Sequence, residues 1–62
     1  MSTLNLKANI DRPDDFYEAL LNAHDGMSKT ESDAFNARLI LILANHIGDR
    51  GLLNEALAKA AE

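Results

Sequence analysis

The sequence predicts an all-α protein: an extended N-terminal arm, then a three-helix hairpin-type unit whose apolar central helix is completed by oligomerisation. Three observations lead there. Apolar residues recur with helical spacing in three separate segments. Each segment has its own start signal, namely Pro13, the pair Ser28 and Glu31, and Asp49, and the first two are followed by Gly26 and Gly48. Finally, the middle segment contains six consecutive apolar residues, Leu39 to Ala44, more than one side of a small soluble helix normally carries.

In the arm, residues 1–11, Leu4, Leu6, Ala8 and Ile10 alternate with polar residues, a pattern suited to an extended segment laying one side on a surface. A lone strand has no ladder partner. The arm is therefore expected to pack on its own helices, with pairing to a neighbouring chain as the alternative. Helix one, residues 13–25, opens at Pro13, whose fixed φ and missing N–H suit the first helical position. Asp14, Asp15 and Glu18 set negative charge beside the positive end of the helix dipole. Phe16, Tyr17, Ala19, Leu20, Leu21 and Ala23 form the apolar side, and Gly26 supplies a left-handed stop.

Helix two, residues 29–47, begins at a capping box formed by Ser28 and Glu31 and ends at Gly48. On a helical wheel its apolar residues, from Ala34 to Ile47, spread over about 280°. Only Glu31, Arg38 and Asn45, spaced by sevens, form a clear polar strip. Helix three, residues 50–61, takes Asp49 as N-cap and carries Leu52, Leu53, Ala56, Leu57 and Ala60 on one side. Short connections make helix two the central element. Both neighbours are short and rich in Ala, so part of the Leu39 to Ala44 surface is expected to be covered by a second chain.

Size and charge narrow the function classes. A single domain of 62 residues buries only about 60% of the surface its unfolded chain exposes. Chains this short gain stability from disulfides, a metal or oligomerisation, and there is no cysteine here. Oligomerisation is the supplement left. Ten acidic residues against six basic ones, net charge −4, argue against nucleic acid as a partner. The acidic polar side of helix one argues against a membrane surface, and the longest apolar run is too short to span one. A cytoplasmic location is expected.

The strings DDFYEALLNAH, GMS, NARLILILANHIGD and LLNEALA resemble a family of very short bacterial proteins catalogued as a conserved domain of unknown function. The similarity runs over nearly the whole chain, and NARLIL followed by LANHIGD is its most specific part. The resemblance implies no established reaction, and no cofactor is expected. It does imply an accessory role beside flavin-dependent oxygenases and related catabolic enzymes.

The polar residues within the apolar arc are the candidates for function. His24 and His46 each lie near a helix C-terminus, where an imidazole interacts with the last carbonyls. Within one chain they stand about 24 Å apart along helix two, and neither a His-x-x-x-His nor a Glu-x-x-His pair is present, so no metal site is expected. Asn36 and His46 need hydrogen-bond partners inside the fold or across an interface. No serine has a plausible triad, and three isolated glycines make no phosphate loop. The leading expectation is a non-enzymatic helical protein–protein interaction module, a homodimer or an accessory subunit, with Phe35, Asn36, Leu39, Ile42, Leu43 and His46 at the interface. The alternative is a small ligand-binding or catalytic protein with a site between subunits, lined by Arg38, Asn45, His46 and Asp49.

Overall fold

A computed structural model describes residues 3–62; the first two residues of the expected arm lie outside them. The chain is all-α, with helices α1 (Pro13–Ala23), α2 (Lys29–Ile47) and α3 (Arg50–Ala60), and no strand among the described residues. Residues 3–12 precede them without regular structure.

The helix ends follow from local chemistry. Arg12 precedes α1 with φ 47°, and its carbonyl accepts from the amides of Asp15 and Phe16 at 3.1 and 3.2 Å. No side chain caps this end. A left-handed arginine costs about 1 kcal/mol, a local strain that its position beside Pro13 makes no easier. At the other end, α1 stops at Ala23, two residues short of the expected bound. The amides of His24 and Asp25 donate to the carbonyls of Leu21 and Asn22, both at 3.1 Å. The last turn thereby tightens to i→i−3 bonding. Gly26, at φ 79°, then reverses the chain.

The capping box of α2 is complete. The amide of Glu31 donates to the Ser28 hydroxyl at 3.2 Å, and the amide of Ser28 donates to the Glu31 carboxylate at 2.9 Å. Gly48 closes the helix at φ 74°, a left-handed conformation that costs a residue without Cβ little, and its N–H donates to the Ala44 carbonyl at 2.9 Å. Asp49 caps α3 by accepting from the amide of Leu52 at 3.0 Å. Three exposed ion pairs, Arg12–Asp15, Lys29–Asp33 and Lys59–Glu62, decorate the helices. Each of these contributes little, since both partners stay in water.

Tertiary packing is sparse. Among the described residues, α2 and α3 are the helices whose backbones come close, whereas α1 meets α2 through the side chains at the turn. The three helices of the expected unit are present, with α2 and α3 closest and α1 joined to α2 by side chains at the turn. The arm does not lie down on the helices: Leu6 and Ile10 are 65% and 60% exposed, and only Leu4 among its apolar residues is half-buried. The molecule measures 42 × 25 × 23 Å. Its radius of gyration is 13.5 Å, where a compact domain of this length has about 10.6 Å.

The caps can be tested one by one. Ser28→Ala should lower the unfolding free energy by about 1 kcal/mol in a urea titration followed by helical circular dichroism. The hydrogen bond from the Ser28 amide, and then that involving its hydroxyl, hold the Glu31 carboxyl below the usual carboxylate range. A pKa lower in the folded chain means that this contribution is present at neutral pH and is lost as pH falls through the lowered value. Glu31→Gln should flatten that part of the stability profile; an unchanged acid limb would mean that the cap carries no pH dependence.

Candidate functional site

Two features stand out: a polar clasp at the α1/α2 turn and a wide uncovered apolar surface. The clasp is built on His24. Its Nδ1 donates to the carbonyl of Leu20 at 2.8 Å, one of the last unsatisfied carbonyls of α1. Its Nε2 lies 3.0 Å from Oδ1 of Asn36, two turns into α2. A carbonyl only accepts, so Nδ1 carries a hydrogen. The second contact then has the Asn36 amide donating to Nε2 or, in an imidazolium, Nε2 donating to the amide oxygen, and a turn of the amide serves either case. The edge of the same ring meets Phe35, with centroids 4.7 Å apart at 68°. His24, Phe35 and Leu39 are half-buried.

Phe35 and Asn36, two of the six expected interface residues, are therefore engaged within the chain. His24 was legible as a cap for α1, but its bond to Asn36 spans twelve residues and left no local signal. A double-mutant cycle of His24→Ala and Asn36→Ala should show a coupling of about 0.5–1 kcal/mol in unfolding free energy. Additive effects would mean that the two side chains touch without stabilising the turn.

The apolar surface is the larger feature. None of the described residues is buried. Along α2, Ile40, Leu41 and Ile42 are 63–69% exposed. Leu43 and Ile47 are about half exposed, as are Phe16 and Leu21 on α1. A groove of about 490 Å³ runs between α2 and α3. Its α2 wall is Ile40, Leu43, Ala44 and Ile47. Leu53, Ala56, Leu57 and Ala60 form the α3 wall. Of the expected interface residues, Ile42 and Leu43 are on this open surface and His46 is exposed. Ile40 and Leu41, within the Leu39 to Ala44 stretch expected to be covered, are as open, and so are Ile47 and Leu57 beyond it when set against Leu43. Their signal was present in the width of the apolar arc.

The ligand candidates do not converge. Asp49 is engaged as the α3 cap. Arg38, Asn45 and His46 are exposed, and His46 sits about 100° round the helix from Asn45. Neither the groove nor the concavity of about 420 Å³ beside the arm, lined by residues 5–10 and Pro13, includes any of the four. Among the described residues, no group of three His, Asp or Glu stands together as metal ligands, and no helix is long and apolar enough to cross a membrane.

Fold and surface together define a class: a short all-α chain whose apolar residues outnumber those it covers. The chain belongs to the DUF2783 family, described as proteins of unknown function, whose model matches residues 4–62. No curated protein and no solved structure matches it.

Proposed function

We propose that the chain is a helical protein–protein interaction module that acts as a homo-oligomer, with a second copy covering the apolar surface of α2. Its accessible area carries the reading. The chain exposes 5644 Å², whereas a folded chain of 6.8 kDa exposes about 4,000 Å². The unfolded chain would expose about 9,900 Å², so folding alone removes about 43% in place of the usual 60%. The shortfall is about 1,600 Å² per chain, to which the exposed arm also contributes; it exceeds the roughly 800 Å² that each partner of a standard interface contributes.

The residues left open are of the right kind. Leu, Ile, Phe and Tyr on adjoining helix faces resemble a domain core cut in half, which is what obligate interfaces look like. A catalytic reading draws no comparable support, because the polar candidates neither converge nor line a cavity. An accessory role on a larger enzyme calls on the same surface, and the oligomeric state of the isolated chain separates it from self-assembly.

Light scattering over a dilution series should give a native mass of about twice 6.8 kDa or a higher multiple, and helicity should fall together with mass on dilution. A monodisperse, fully helical monomer at all concentrations would overturn self-assembly and favour a larger partner. Leu43→Glu, which sets a charge on the open face of α2, should weaken association by at least about tenfold. Preserved helicity at high concentration would show that the loss is one of assembly.

A further inference from the structure

The groove between α2 and α3 raises the question of what fills it, and the chain contains one segment of matching shape, α1, whose backbone comes close to neither of the other helices and whose apolar side stays largely open. Both α1 and α3 are 11 residues long, about 16 Å each. Phe16, Leu20 and Ala23 of α1 are spaced by four and three, as are Leu53, Leu57 and Ala60 of α3. Such rows make the ridges and grooves of paired helices. Phe16 and Tyr17 on α1 are 47% and 61% exposed, and Leu57 on the groove wall is 70% exposed.

The chain's own α1 does not reach this groove. It ends at Ala23, joined to the start of α2 at Lys29 by a five-residue turn that the His24–Asn36 bond ties to the first half of α2. Folded fully back, α1 would extend about 16 Å along α2, to the level of Ile40. The groove begins at Ile40 and runs to Ile47. A helix from another molecule has no such limit.

We infer that the α2/α3 groove receives α1 of a second copy, so that two chains exchange their first helices reciprocally. This rests on the self-assembly proposed above and names its geometry. In a two-fold pair each groove gains one helix and each α1 gains one groove, an isologous arrangement that closes without open ends. Each α2/α3 pair then becomes a three-helix unit with the partner's α1. The area agrees: α1 and the groove both count towards the shortfall of about 1,600 Å² per chain.

The absence of cysteine from the sequence allows a clean test. Tyr17, near the middle of α1, and Leu57, near the middle of α3, come close whichever way the two helices run. The Tyr17→Cys chain and the Leu57→Cys chain are mixed, allowed to exchange, and treated with a short bismaleimide. The inference expects a covalent dimer in the mixture and none in either chain alone. Leu21→Cys replaces Tyr17→Cys should the latter not associate. A dimeric chain by light scattering that gives no mixed product, while an Ile42→Cys chain cross-links to itself, would overturn helix exchange and leave self-assembly through α2 standing. A monomer at every concentration would overturn both.

Discussion

The structure depends on a mismatch of length. The capping box at Ser28 and the left-handed Gly48 fix α2 at 19 residues, about 28 Å, while α1 and α3 reach about 16 Å each. Even side by side with α2, two such helices would leave parts of its circumference open over some of its length. The mismatch is worsened because α1 meets α2 mainly through the side chains at the turn, so α3 is the helix whose backbone comes close to α2, and it does so over part of its length. Strong local signals thus hold a long apolar helix in water without enough chain to bury it. The absence of buried residues among the described ones follows from that constraint, and the exposed arm adds to the elongation.

The α1/α2 turn shows how little tertiary glue the monomer has. A single half-buried imidazole joins an orphan carbonyl of α1, an amide of α2 and the edge of Phe35. Such a contact orients the turn but buries little apolar area, and a hydrogen bond exchanged with water contributes only about 1 kcal/mol. Fixing the backbone of one residue costs a similar amount. The clasp therefore sets where α1 departs, and leaves its apolar side unsatisfied.

How much of this was legible in the sequence depends on the range of each interaction. The three helices were legible because capping is local: Ser28 and Glu31 are three residues apart, Asp49 and Leu52 likewise, and a glycine at the left-handed position of Gly48 names the end of α2. Long-range packing was not. Nothing in the periodicity of α1 tells whether the turn lays it along α2 or points it away. The six residues chosen for the interface clustered around the side of α2 that carries Phe35 and Leu39, where the His24 clasp sits. Leu43, one of the six, lines the open groove, which continues further round on Ile40, Ala44 and Ile47. The arm was legible only in part for a related reason: alternation of Leu4, Leu6, Ala8 and Ile10 predicts a two-sided segment but does not say whether its own helices or a neighbouring chain receive it.

The proposed self-assembly would also bear on where any further activity sits. A surface that two copies share is withdrawn from other partners, so what remains to be read is what stays wet. That includes the strip of Glu31, Arg38 and Asn45, spaced by sevens along α2, and the carboxylates Asp14, Asp15 and Glu18 on the polar side of α1. In a two-fold assembly each of these occurs twice, related by the symmetry axis. A net charge of −4 per chain would double in such a pair, and that charge opposes the approach of nucleic acid and other anions. The apolar residues of α2 and α3 would then build the scaffold, and recognition would fall to the acidic helix and the polar strip that the scaffold holds in fixed relation.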